Sequence, residues 1–179
     1  MRCFIAIKIP DKIKSEIDTY LAKLQKSNSD QDIKWVNINN MHLTLQFIGE
    51  ISANKIGELS KALENIKSNY FQISFKKNIS FFPNNFNPKI IKISLNDREE
   101  NLQRLNSMIR QQLNKLGIKY DKKPFSAHLT LGRIKYLNSK FKTINLIRLS
   151  ELKVEKFYLF CSELTSNGPI YTQLATINL

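Results

Sequence analysis

The tetrapeptide His-Leu-Thr-Leu occurs twice, at His42-Leu43-Thr44-Leu45 and at His128-Leu129-Thr130-Leu131, and these are the only histidines in a chain of 179 residues. On average residue usage, a given His is followed by Leu-Thr-Leu on the order of one time in a thousand, so a repeat at both histidines is not accidental. Leu-Thr-Leu is strand-forming sequence, and alternate side chains of a strand share a face. Each copy therefore projects His and Thr to one side and its two leucines to the other. The chain has to build two such strands with their leucines anchored in a core. If the copies lie on neighbouring or pseudo-symmetric strands, one cleft receives two imidazoles and two hydroxyls. Chemically that is an acid–base pair with two neutral donors suited to phosphate oxygens.

The remaining elements come in mixed order. Residues 2–9 read as a strand, followed by a helix opened by Pro10-Asp11, with Ile13, Ile17, Tyr20, Leu21 and Leu24 on one face and Asp11 as its N-cap. A short strand over 33–36, an Asn-rich turn and a strand over 42–48 closed by Gly49 come next. The spacing predicts a second helix over 53–67 capped by Ser52, strands over 70–75, 79–82 and 89–95, and a third helix from about 97 to 116 ended by Gly117. After the strand over 128–134, the chain closes with two long strands, 152–164 and 170–179, joined as a hairpin through Thr165-Ser166-Asn167-Gly168-Pro169. Such intermixing favours an α+β fold with mainly antiparallel sheets, and the length suits a single domain spanning 1–179. No Gly-rich phosphate loop follows a strand, which argues against a nucleotide-binding parallel sheet.

Lys and Arg number 28 against 15 Asp and Glu, giving a net charge of +13 and a pI near 9.8. That balance suits a polyanionic partner, although a lysine-rich solvated surface reads the same way. The lysines are scattered, so no basic tail is indicated. No apolar stretch approaches eighteen residues, and the apolar start is too short for a signal peptide and is interrupted by Lys8. No membrane association and a cytoplasmic location are expected. Cys3 and Cys161 fit no metal-ligand spacing and read as buried thiols.

Metal binding is the sharper competitor for the two histidines. Two imidazoles without an Asp, Glu or Cys at ligand spacing make a poor site for zinc or iron, so neither a metal nor a cofactor is expected. Arg133 lies five residues after His128, on the opposite pleat by strict alternation. A bend or bulge near Gly132 would be needed to turn it into the cleft as a guanidinium fork for phosphate; otherwise it is an exposed strand-end charge. Phe47, the equivalent residue after His42, could stack on a base, but spacing alone favours the core.

The chain resembles the two-histidine (2H) phosphoesterases, and its flanks resemble the RNA 2′,3′-cyclic phosphodiesterases, also called 2′-5′ RNA ligases. The matching stretches are Met1-Arg2-Cys3-Phe4-Ile5-Ala6-Ile7, Trp35-Val36, His42 through Glu50, Phe82-Pro83, Pro124-Phe125, His128 through Arg133, and Gly168-Pro169-Ile170-Tyr171. The resemblance implies a bilobal fold of two pseudo-symmetric α+β halves facing each other across a cleft, one motif from each. It implies His42 and His128 as the catalytic pair, Thr44, Thr130 and Arg133 on the phosphate, and Phe47 against the nucleotide. Hydrolysis of an RNA-terminal 2′,3′-cyclic phosphate to a 2′-phosphomonoester follows, with RNA ends or cyclic nucleotides as substrates and a monomer as the working unit. An RNA-binding module without turnover and 2′-5′ ligation as the main activity are the alternatives. Two departures stand out: Ala127 where many relatives carry Pro, and Gln46 where a basic residue is common, a loss that would weaken RNA contacts.

Overall fold

The computed structural model describes residues 1–145, 148–166 and 168–179. Along the chain these form β1 (Arg2–Lys8), α1 (Asp11–Ser27), β2 (Asp32–Trp35), β3 (His42–Glu50), α2 (Ala53–Glu64), β4 (Phe71–Phe82), β5 (Ile90–Asn96), α3 (Asn101–Lys115), β6 (His128–Tyr136), β7 (Leu152–Val154), β8 (Lys156–Thr165) and β9 (Gly168–Asn178). The strands assemble into two sheets, one of four in the order β3-β1-β8-β9 and one of five in the order β2-β6-β5-β4-β7. All pairings are antiparallel, so the architecture is the α+β one expected from the sequence. One motif strand lies in each sheet, β3 at the edge of the first and β6 inside the second.

The helices bury the faces their periodicity marks: Ile13, Ile17, Tyr20, Leu21 and Leu24 from α1, and Leu102, Leu105, Ile109 and Leu113 from α3. Their starts differ from expectation. Pro10, not Asp11, is the N-cap of α1, because its extended backbone ends the preceding segment and its carbonyl accepts the first helical bond, from Lys14. Ser52 holds the cap position of α2 without a side-chain bond, and the helix ends at Glu64. Helix α3 starts at Asn101, and the Asp97 carboxylate caps it from outside by accepting from the backbone N–H of Asn101 at 2.9 Å and Leu102 at 2.7 Å. Gly117 follows its end with φ +62°, a left-handed conformation natural to glycine.

Two strand assignments also change. The segments expected at 70–75 and 79–82 are one strand, β4, interrupted by a register shift between Phe75 and Ile79. The long strand expected over 152–164 is two: β7 pairs with β4 in the second sheet, and β8 pairs with β1 and β9 in the first. The chain changes sheets at Glu155, whose carbonyl instead accepts the Leu179 N–H. The hairpin between β8 and β9 closes with Thr165 opposite Gly168; Asn167, part of the expected turn, lies outside the described residues.

The motif leucines Leu43, Leu45, Leu129 and Leu131 are all buried in one continuous core that draws on both sheets and all three helices. A second, smaller cluster, formed by Phe4, Ala6, Tyr158 and Phe160 with Tyr171 beside it, is separate from that core. It occupies the other face of the first sheet, the face of His42. Cys3 and Cys161 are opposite one another on β1 and β8 as free thiols, and burial pushes the Cys3 thiol up to about 11, which keeps it protonated and inert. No described helix is long and apolar enough to cross a membrane.

Candidate active site

Both motif strands carry the same backbone irregularity three residues after the histidine. Against β1, Thr44 pairs with Ala6 and Gln46 with Ile5, leaving Leu45 as an extra residue. Against β5, Thr130 pairs with Lys92 and Gly132 with Ile91, leaving Leu131 extra. Each bulge shifts the alternation by one residue. The burial of the two strands repeats position by position: His and Thr half-buried, Leu45-Gln46 and Leu131-Gly132 buried, then Phe47 and Arg133 exposed, with Ile48 and Ile134 buried behind them. Arg133 thus joins the face of His128 and Thr130, as the bulge near Gly132 allows. Phe47 is 53% exposed and lies on the face of His42 and Thr44, contrary to the core position its spacing favours.

A bulge leaves a carbonyl out of the ladder, and a buried carbonyl needs a donor. The Leu131 carbonyl accepts from the backbone N–H of Val36 at 2.9 Å. The Leu45 carbonyl instead accepts from Asn106 Nδ2 on α3, at 2.7 Å. Gln46 is 3% exposed; its Oε1 accepts from Arg110 Nε at 2.7 Å and Asn106 Nδ2 at 3.2 Å, and its Nε2 donates to the Asp121 carbonyl at 2.7 Å. Gln46 therefore faces away from the cleft and braces the bulge. On β6 the matching residue is Gly132, where a Cβ would sit 3.0 Å from Ile33 Cγ2 and Trp35 Cε3.

The two imidazoles are held alike. Nδ1 of His42 lies 2.7 Å from the Asn40 carbonyl and Nδ1 of His128 lies 2.7 Å from the Ser126 carbonyl, in each case two residues earlier. A carbonyl only accepts, so Nδ1 carries the proton and Nε2 is left free as the working nitrogen. Burial lowers both imidazoles below the usual 6.5, against the opposing pull of the carbonyl bonds. For His128, the Lys92 and Arg133 charges lower it further.

Their surroundings differ. His42 sits among rings, 4.9 Å from Phe4 and 5.2 Å, edge-on, from Tyr171, with Phe160 stacked behind Phe4 at 5.2 Å. Lys8, its cross-strand partner, lies 4.7 Å above the Tyr158 ring. Around His128 the cross-strand partners are Ser94 for His128 itself and Lys92 for Thr130. The two motif strands come together although they belong to different sheets, with Cα atoms within 8 Å. Burial raises the Tyr171 phenol above its usual range, and the Arg133 charge on the other sheet partly opposes that rise.

A model of the LigT-like phosphoesterase family matches residues 7–91 and 93–171, one His-Leu-Thr-Leu in each segment. The chain belongs to the LigT-like phosphoesterase family. It is 34% identical to an RNA 2′,3′-cyclic phosphodiesterase of Archaeoglobus fulgidus, covering 97% of this chain and 98% of the relative. The match to the Thermotoga maritima protein of the same name is 33%, over 97% and 93%. Among solved structures, a Thermus thermophilus protein superposes with a TM-score of 0.83 at 26% identity, covering 100% of this chain and 98% of that one.

For this phosphoesterase, all six side chains singled out from the sequence fall on the cleft faces of β3 and β6. Sequence reasoning missed Phe4, Lys8, Lys92 and Tyr171, which line the same cleft, and Asn106, which supports it from behind. Their positions follow from cross-strand register. Phe4 and Tyr171 carried a signal, as parts of the opening Met1-Arg2-Cys3-Phe4-Ile5-Ala6-Ile7 and closing Gly168-Pro169-Ile170-Tyr171 stretches. Chemically, the site offers two imidazole nitrogens able to accept or donate a proton, hydroxyls and cations for a phosphate, and rings for a base.

Proposed function

We propose that this phosphoesterase hydrolyses the 2′,3′-cyclic phosphate at the end of an RNA to a 2′-phosphomonoester, with His42 and His128 as a metal-independent acid–base pair. The observation that carries this reading is the matched pair of imidazoles, each fixed through Nδ1 and free at Nε2, on two strands that meet across the cleft. Both relatives named above are RNA 2′,3′-cyclic phosphodiesterases.

Opening the ring requires a proton taken from water on one side of phosphorus and a proton given to the departing oxygen on the other. One imidazole therefore starts neutral and the other protonated. His128, lowered both by burial and by the Lys92 and Arg133 charges, suits the base that activates water. As water oxygen bonds to phosphorus, the bond to O3′ breaks and His42 protonates that oxygen. Thr44 and Thr130 donate to the non-bridging oxygens, and Arg133 matches the charge growing on them. Phe47, beside Phe4 at 6.2 Å, receives the base. Operation without a metal is supported by the donor chemistry: among the described residues no three His, Cys, Asp or Glu side chains are grouped to hold an ion. Both motifs come from one chain, so a monomer is sufficient, and the proposed place of action is the cytoplasm.

The test is product analysis after incubation with an RNA oligomer ending in a 2′,3′-cyclic phosphate, with and without a chelator. A 2′-phosphate product formed equally in chelator is expected, with His42→Ala and His128→Ala each slower by about 100- to 10,000-fold. Near-normal turnover by His42→Ala refutes the mechanism, chelator inhibition reversed by metal refutes its metal independence, and a 2′-5′ joined product from RNA bearing 5′-hydroxyl ends identifies ligation.

A further inference from the structure

The cleft face of the second sheet extends across four strands. Registers across four strands place Phe82, Ile90, Arg133 and Lys34 in one transverse row. The next row, nearer His128, holds Ser80, Lys92 and Thr130. Beyond Arg133, Lys135 follows on the same face and reaches Asp32 at 3.6 Å. Lys34, Lys92 and Arg133 are different: among the described residues none has a carboxylate within 4.0 Å. Three uncompensated cations on one sheet face repel each other and call for an anion to bridge them. At the end of their row Phe82 is a large apolar side chain left 54% exposed. Cations that follow a backbone, with an exposed ring beside them, are the elements of a single-strand nucleic-acid track.

We propose that the nucleotides preceding the cyclic end bind along this face, with a phosphate on Lys34, beside the Arg133 that holds the cyclic phosphate, and a base on Phe82, so that oligoribonucleotide ends are bound in preference to free mononucleotides. The cyclic phosphate is at the 3′ end of the RNA, so the bound chain runs away from His128 in the 5′ direction, along β6 towards Lys135. The corresponding face of the first sheet is lined mainly by the rings around His42, with Lys8 over Tyr158. This inference rests on the proposed reaction for its orientation, but it is tested by binding, which does not depend on turnover.

The experiment is fluorescence anisotropy with a 5′-labelled RNA trinucleotide ending in a 3′-phosphate, and the correspondingly labelled mononucleotide, titrated at several salt concentrations. Each further phosphate that a protein cation neutralises steepens the plot of log affinity against log salt by about 0.7, and Lys34 supplies one such cation for the trinucleotide. A slope steeper by about 0.7 than for the mononucleotide is expected, with affinity higher by about tenfold or more at low salt. Lys34→Ala should remove that difference, weakening the trinucleotide more than the mononucleotide. Phe82→Ala should weaken the trinucleotide without changing the slope, and Phe82→Tyr should restore it. Equal slopes for the two ligands, or an equal loss on both with Lys34→Ala, overturn the track. Failure to hydrolyse any cyclic phosphate while these binding differences hold refutes the proposed reaction and leaves the track standing.

Discussion

Replacing Asn106 by Leu isolates the contribution of the bulge that brings Phe47 into the cleft. Asn106 is 1% exposed, and its Nδ2 is the donor to the Leu45 carbonyl at 2.7 Å and to Gln46 Oε1 at 3.2 Å. Leucine has the same number of side-chain heavy atoms with the same branch at Cγ, so no cavity opens and the donor is lost. A buried carbonyl left without a partner costs about 1–3 kcal/mol. Gln46 Oε1 keeps Arg110, so the second lost bond adds about 0.5 kcal/mol. A total of about 1.5–3.5 kcal/mol corresponds to a Tm lower by roughly 3–14 °C for a chain of this size. Urea unfolding should show a lower midpoint at unchanged slope. Because relaxation of the bulge restores strict alternation and turns residue 47 towards the core, KM for a cyclic nucleotide should rise more than kcat falls. A variant within about 0.5 kcal/mol of wild type refutes the account of the bulge. Lost stability with unchanged KM refutes its link to the cleft.

Gly132→Ala puts a methyl 3.0 Å from Ile33 and Trp35, at a bulge that cannot give way without moving Arg133; a loss of about 1–3 kcal/mol is expected in the same unfolding assay. Arg133→Ala should lower kcat/KM by about 100-fold or more, since it removes a charge aimed at the transition state, while Arg133→Lys should recover only part because the fork is lost; steady-state kinetics on a cyclic nucleotide decides this. Both imidazoles are lowered in the folded protein, so the unfolded chain, with His near about 6.5, binds more protons. Their stabilising contribution is therefore complete above that value and lost as pH falls through the folded pKa values. A His42→Gln/His128→Gln protein should lose less stability on acidification from neutrality than wild type does; identical curves refute the burial argument.

How much was legible in the sequence depends on the range of the interaction involved. The leucines of the two motifs and the buried faces of α1 and α3 follow from period alone, because burial is read by each element separately. The start of α3 does not, since Asp97 caps it from four residues before the helix and only the folded loop shows this. The division of β7 from β8 at Glu155 depends on which sheet each half meets, a choice made by partners remote in sequence. The same holds for the site. His42, Thr44, His128 and Thr130 are local signals of a repeated tetrapeptide. The direction of Phe47 and Arg133 depends on two bulges whose carbonyls are satisfied by Asn106 and Val36, neither of which has any sequence proximity to the residue it supports. Lys92 enters the cleft only because β5 pairs with β6 in one register.

The backbone treats the two motifs alike, with the same carbonyl on each Nδ1, the same bulge three residues on and the same burial sequence. The difference between them lies in what the neighbouring strands supply. β1 and β8 give His42 the rings of Phe4 and Phe160, whereas β5 gives His128 the ammonium of Lys92, and its own strand adds Arg133. A base that must stay neutral is favoured beside cations. An acid that must be protonated is disfavoured among rings until an anion arrives. On this reading, substrate phosphate supplies the missing charge: bound in the cleft, it raises His42 towards protonation, while Lys92 and Arg133 partly offset the same effect at His128. The two pKa values then separate in the order the chemistry needs. The pH profile of kcat, which reports the bound enzyme, should therefore be broader and extend to higher pH than that of kcat/KM, which reports the free one. Superimposable profiles would mean that the asymmetry of the cleft does not divide the work between the histidines.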